Sequence, residues 1–99
     1  MRVEVNAWVH SLVDGPMGGE REFAEPAQRG DCVVDILRRL GQRFPKLQEA
    51  LWDGPPAKGV LGGHLEILVN NTILGSDYQL ESPVDAAMEI MITGQFVGG

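Results

Sequence analysis

Met88-Glu89-Ile90-Met91-Ile92-Thr93-Gly94-Gln95-Phe96-Val97-Gly98-Gly99 closes the sequence, and its reading decides the fold. Met88, Ile90 and Ile92 fall on one side and Glu89, Met91 and Thr93 on the other. That is the period-2 pattern of a half-buried strand. Gly94 breaks the alternation, and the residues beyond it end in two glycines with no side chain to bury. They predict a slender tail over 95–99 that a partner's backbone can approach closely, attached to a folded body over 1–94.

A strand with one apolar face needs neighbours, and the sequence supplies them. Val3, Val5, Ala7 and Val9 alternate with Arg2, Glu4, Asn6, Trp8 and His10, which predicts a strand over Arg2–His10. Asp14-Gly15-Pro16-Met17-Gly18-Gly19 is dense turn punctuation. Glu20–Ala24 then offers a short return strand with Phe23 as its core residue; its charge suits a sheet edge, where it discourages stray pairing. Further on, Leu65, Ile67 and Val69 alternate inward, Asn70-Asn71 turns, and Thr72-Ile73-Leu74 forms a short strand. Tyr78 and Leu80 read as a semi-buried return leading into the last strand.

Between these strands lies one clear helix. Val33, Ile36, Leu37, Leu40 and Phe44 recur at spacings of three and four and form one apolar stripe, while Asp35, Arg38, Arg39 and Gln42 lie off it. Its start has two registers. Asp31 is the better N-cap by side chain, and Cys32 with Asp35 at the third helical position is the alternative. Pro45 ends the helix by denying its predecessor the helical conformation. Lys46–Trp52 reads as a second, short helical segment, and Asp53–Gly63, with Pro55-Pro56 and four glycines, reads as loop. The element order predicts an α+β fold: a mixed sheet of four to five strands with one main helix across one face. A first strand paired in parallel with the last is the β-grasp arrangement of ubiquitin-like domains.

Composition narrows the function classes. Ninety-nine residues suit one domain with one core and little room for a deep catalytic pocket. A formal charge of −6 argues against nucleic acid and anionic membrane as partners and favours a basic docking surface. No apolar run is long enough to span a membrane, and the start at Met1-Arg2-Val3-Glu4 has no apolar stretch of a signal peptide. The single cysteine, Cys32, excludes an internal disulfide and a multi-cysteine metal site, so no metal is expected and the compartment is expected to be reducing and cytoplasmic.

The tail carries the chemistry. Gly99 bears the terminal carboxylate with no side chain crowding its carbonyl carbon, which suits activation as an acyl-adenylate and attack by a nucleophile. Gly98 keeps the tip thin, and Phe96 and Val97 are apolar anchors able to fix its register. Cys32, His10 and His64 read as ordinary surface or capping residues, and Arg38-Arg39 as a solvated helix face. Lys58-Gly59 lacks the rest of a phosphate loop. Trp8, Leu68 and Met91 all lie on the non-core side of their strands; they form an exposed apolar docking patch unless the Asp53–Gly63 loop covers them.

In these features the chain resembles the ubiquitin-like sulfur carriers of the MoaD/ThiS family, the small subunit of molybdopterin synthase and the thiamine-pathway carrier. The matching residues are Val3 and Val5, the helix start Cys32-Val33-Val34-Asp35-Ile36-Leu37, Phe44-Pro45, Leu68-Val69-Asn70-Asn71 and Gly98-Gly99. The resemblance spans nearly the whole chain through spacing more than identity. It implies a carrier and not an enzyme, with no bound cofactor. A ubiquitin-activating-enzyme-like adenylyltransferase would use ATP and Mg²⁺ to adenylate Gly99. A sulfur donor of the desulfurase or rhodanese type would convert it to a thiocarboxylate. A sulfur-accepting enzyme, such as a molybdopterin synthase large subunit, would draw the sulfur off. Two other uses of the same body stay open: a protein modifier joined through Gly99 to lysines, and a plain β-grasp binding module. The acceptor pathway also stays open, among molybdopterin, tungstopterin, thiamine, cysteine, homocysteine and related products.

Overall fold

The last strand, β5 (Glu89–Gly94), runs through the middle of a five-stranded sheet in the computed structural model. The structure describes residues 1–6, 9, 12, 22–63 and 65–94. β1 (Arg2–Val5) lies beside β5 in parallel, with Val3 opposite Ile90 and Val5 opposite Ile92. On the other side of β5, β3 (Leu65–Val69) is antiparallel, with Ile67 opposite Ile92 and Leu68 opposite Met91. The edges are β2 (Glu22–Ala24) against β1 and β4 (Thr72–Ile73) against β3. The sheet order is therefore β2-β1-β5-β3-β4, the mixed arrangement of a ubiquitin-like β-grasp.

Helix α1 (Val33–Arg43) closes one face of this sheet. Its stripe residues Val33, Ile36, Leu37 and Leu40 have no solvent exposure and share one core with Val3, Val5, Ile67, Val69, Ile90 and Ile92. Each such large side chain contributes roughly 1.5–3 kcal/mol by leaving water, which makes this stripe the main closure of the core. Helix α2 (Pro45–Leu51) starts with Pro45 in its first turn, where a missing N–H costs nothing, and adds buried Leu47 and Leu51. Gly41 lets the two helices meet. A Cβ there would come within 3.1 Å of Gln48 Cβ.

The Asn70-Asn71 turn has φ of 49° and 65°, the left-handed pair that a two-residue hairpin requires and that asparagine tolerates. Asn70 also ties the turn to β5. Its side-chain oxygen accepts the Glu89 N–H at 3.0 Å, and its own N–H reaches the Glu89 carbonyl at 2.9 Å.

One local expectation is corrected, and one choice between two registers is decided. The first strand ends at Val5 and not at His10: Asn6 N–H makes a ladder bond to Ile92 O, and Val9 N–H then turns back onto Asn6 O at 3.1 Å. Buried Val9 thus reaches the core through a turn. His10, the 14–19 turn and the Phe23 side chain lie outside the described residues. The helix N-cap is Cys32 and not Asp31. The Asp35 carboxylate accepts the Cys32 N–H at 2.9 Å, and the next orphan donors, Val33 and Val34 N–H, reach Ser82 O and Leu80 O at 3.0 and 2.9 Å. The tertiary carbonyls thus complete the capping box that Cys32 and Asp35 form locally.

Asp31 is left for another task. It accepts the Gln28 N–H at 2.7 Å and pairs with Arg39. The Arg39 hydrogen bond above all, and then the Gln28 N–H, hold its carboxyl below the usual aspartate range. Arg39 and Arg43 also hold Glu25, a buried carboxylate, at 3.8 and 3.0 Å. Arg39 is therefore a clamp on the 24–31 connection, and not the free surface residue its place off the stripe implies.

Candidate functional site

The sheet face away from α1 carries the candidate docking surface. In the sheet, laterally paired residues point to the same side, so the register sets one row across this face: Glu22, Glu4, Met91, Leu68, Ile73. Leu68 and Met91, expected on the non-core side, are direct cross-strand partners and both half-buried. Asn6 Nδ2 lies 3.3 Å from Met91 Sδ and braces it.

Ile73 extends the apolar row and was not singled out from sequence. It is 53% exposed, opposite Leu68. The signal was present. A two-residue Asn-Asn turn pairs Val69 with Thr72 and hence Leu68 with Ile73. The third expected member, Trp8, lies outside the described residues.

The Asp53–Gly63 loop bonds to the helical layer, and its Leu61 reaches the β4 edge, where it lines an opening with Glu66, Ile73 and Leu74. Arg38 Nε and Nη2 donate to Pro56 O and Ala57 O, both at 3.3 Å, and Gly62 N–H donates to Leu51 O at 2.9 Å. A one-turn 3-10 helix over Pro56–Lys58 and a Trp52–Leu61 bridge complete its attachment.

Acidic side chains rim the apolar row. Glu4 and Glu22 lie at one end of it, Glu66 pairs with Thr93 one step along, and Glu89 lies beside Arg2. Arg2 offsets part of this charge through Glu22 at 2.9 Å, Glu89 at 3.3 Å and Glu4 at 3.5 Å. These pairs are exposed, and such pairs contribute about 0–1 kcal/mol each. The surface remains net acidic around an apolar centre, the form that suits a basic-rimmed protein partner.

Of the remaining expected residues, Phe96, Val97, Gly98 and Gly99 lie outside the described residues. β5 runs up to Gly94, which pairs with Leu65. The apolar row and the strand that leads to the tail are thus parts of one element: Met91 stands three positions before Gly94.

Replacing Leu68 by Asp puts a charge in the centre of the row on a side chain only half-buried in the free protein. The expected result is a folded chain whose affinity for an activating or acceptor partner falls by about 2 kcal/mol or more, a hot-spot loss. Circular dichroism and surface plasmon resonance read the two effects separately. Unchanged binding by the folded variant would assign the row another role.

No protein-family model matches the sequence, and no curated protein matches it. Solved structures do match. The small archaeal modifier protein 1 (SAMP1) of Haloferax volcanii superposes with a TM-score of 0.77 at 19% identity, over 99% of this chain and 97% of that one. SAMP1 of Methanosarcina acetivorans gives 0.75 at 25% identity, over 99% and 94%. A Pyrococcus furiosus protein assigned as molybdopterin converting factor subunit 1 gives 0.64 at 16% identity, over 96% and 95%. In fold, this chain is a ubiquitin-like β-grasp protein, similar to the archaeal modifier proteins and to the molybdopterin converting factor subunit.

Proposed function

We propose that this protein is a sulfur carrier that works through its C-terminal glycine. The observation that carries the reading is the placement of β5: the strand that leads to Gly98-Gly99 also supplies Met91 to the apolar row. A partner that grips the Glu4–Met91–Leu68–Ile73 row therefore holds the element from which the tail departs.

The chemistry follows from the terminal carboxylate, a poor electrophile until it carries a leaving group. The Gly99 carboxylate attacks the α-phosphorus of ATP on an adenylyltransferase, pyrophosphate leaves, and an acyl-adenylate forms. Mg²⁺ on that partner neutralises the phosphates. A sulfur nucleophile from a desulfurase- or rhodanese-type donor then attacks the carbonyl carbon, and AMP leaves. When that nucleophile is the donor's persulfide, an acyl disulfide forms; a second thiol then attacks the donor's sulfur, the S–S bond to the acyl group breaks, the thiocarboxylate leaves and a disulfide stays on the donor, after which the carrier's sulfur passes to an accepting enzyme. The chain contributes the tail, the docking row and a rigid body; the catalytic groups belong to its partners.

A second use of the same tail has specific support, since the H. volcanii and M. acetivorans neighbours are modifier proteins by name. In that use a lysine amine takes the acyl group and an isopeptide forms. Adenylation is common to both. Intact-mass analysis of the protein from its native cells separates them: the gain of one sulfur for one oxygen is the expected result. A ladder of covalent conjugates without that species would replace the carrier by the modifier.

A further inference from the structure

We propose that the outer edge of β3 at Leu65 is a second binding site, which takes an extended segment of a partner protein as an added antiparallel strand, with a basic residue directly before an aliphatic one. The site works through main-chain hydrogen bonds at a sheet edge, so it does not depend on the chemistry of the tail.

The first observation is an unfinished edge. β3 spans Leu65–Val69, but β4 pairs only with Leu68 and Val69. One further bond, from Leu74 N–H to Ile67 O at 2.9 Å, ends the contact, and the Gly75 N–H then closes a turn onto Tyr78 O at 2.7 Å. Backbone groups along a strand alternate between its two neighbours. Ile67 O faces the β4 side, while Asn70 N–H faces β5 through Glu89 O. Leu65 is in step with Ile67, so its N–H and C=O face the β4 side, where no strand among the described residues reaches them. An edge left in this state is a template for another strand. The other edge of the sheet is held by the helix: Arg43 donates to Ala24 O at 3.3 Å and Arg39 to Pro26 O at 3.2 Å.

The open groups also set the direction of the strand. In an antiparallel pair a single residue exchanges both hydrogen bonds with its partner, so one residue opposite Leu65 satisfies its N–H and its C=O together. The residue before that one then lies opposite Glu66. β4 has left off at Ile67, so the added strand begins there.

The second observation is what lines the edge. A space of about 130 Å³ is bounded by Leu61, Leu65, Glu66, Ile67, Ile73 and Leu74. Residues paired across a sheet point to the same side. A residue opposite Leu65 therefore turns its side chain to the inner face, toward Leu61 and Leu74, which are half-buried against the core. An aliphatic side chain suits that place. The preceding residue points to the outer face with Glu66. Three other glutamates of that face, Glu4, Glu22 and Glu89, are paired with Arg2, but Glu66 has no ion pair among the described residues. A lysine opposite it makes an attractive cross-strand pair. Gly63 leaves the path clear, since a Cβ there would meet nothing within 4 Å.

Leu65 pairs on its other side with Gly94. A strand added at this edge lies two ladder steps from Gly94, roughly 10 Å. A partner fastened there holds the body close to the point at which the tail departs.

The test is an ¹⁵N NMR titration of the full chain with acetyl-Lys-Val-Thr-Thr-amide, together with amide hydrogen exchange. One control peptide carries N-methylvaline, which keeps every side chain and charge but removes the donor to Leu65 O. The other carries glutamate for lysine. The expected result is a saturable shift centred on the Leu65 amide, slower exchange of that amide, and affinity at least tenfold lower for each control. Glu66→Lys should weaken the lysine peptide roughly tenfold, since a like-charged cross-strand pair replaces an attractive one. Deleting Gly98 and Gly99 should leave binding unchanged, which keeps this result separate from the fate of the tail chemistry. The proposal is overturned by no saturable shift up to about 5 mM peptide, by equal binding of either control, by unchanged exchange at Leu65, by unchanged affinity in Glu66→Lys, or by shifts centred on Met91.

Discussion

Deleting Gly99 from the full-length chain is expected to abolish ATP–pyrophosphate exchange with the cognate activating enzyme while leaving the thermal midpoint nearly unchanged. Exchange requires that the carboxylate attack ATP and that pyrophosphate return, so it reads the first chemical step and no other. Without Gly99 the new carboxylate belongs to Gly98 and stands one residue short of the reacting position, a span of about 3.3–3.6 Å in extended chain. A misplacement of even about 1 Å can cost a factor of a hundred in such steps. The stability side rests on the core. The sixteen buried apolar residues among the described ones run from Val3 to Ile92, and deleting a glycine removes no side chain from that core. Gly98→Ala should slow exchange, because a β-carbon narrows the allowed backbone angles and thickens the tip. Phe96→Ala should mainly raise the protein concentration needed for half-maximal rate. Equal exchange by the full-length and truncated proteins would sink the carrier and modifier readings together.

Leu37→Ala is the change expected to damage the fold most. Leu37 has no solvent exposure and lies in the stripe of α1 that closes over Val5, Ile67, Ile90 and Ile92. Truncation removes the transfer free energy of the side chain and leaves a cavity that neighbours on a sheet can only partly fill, at a cost of about 2–5 kcal/mol. Urea denaturation followed by circular dichroism measures it. Against a total of about 5–15 kcal/mol for an ordinary domain, such a loss moves the midpoint far enough to be unmistakable. A change within error would mean that the core is organised around another face of the helix.

Much of this architecture was legible because it is written in local periods. The alternation of Met88–Thr93 and Leu65–Val69 and the three-four spacing from Val33 to Phe44 mark each inner face without reference to any other element. Those marks placed Val5, Leu37, Leu40, Ile67, Ile90 and Ile92 in one core, and they share one. The outward side of Leu68 and Met91 followed from the same alternation, since a side chain that is not on one face of a strand is on the other.

What tertiary structure alone decided are pairings between residues distant in sequence. Of the two N-cap registers open in the sequence, the Cys32–Asp35 capping box prevailed with the help of the carbonyls of Leu80 and Ser82, some fifty residues on, which satisfy the first helical N–H groups and release Asp31 to Arg39. Local capping preference is worth about 1 kcal/mol, too little to prevail against two tertiary hydrogen bonds. The same holds for Arg38 and Arg39. Off the apolar stripe they read as solvated, yet one fastens a loop and the other fastens Glu25 and Asp31. Periodicity reports which side of an element meets water. It does not report which loop lies across that side, because a loop's path is set by long-range closure and not by any repeat in its own residues.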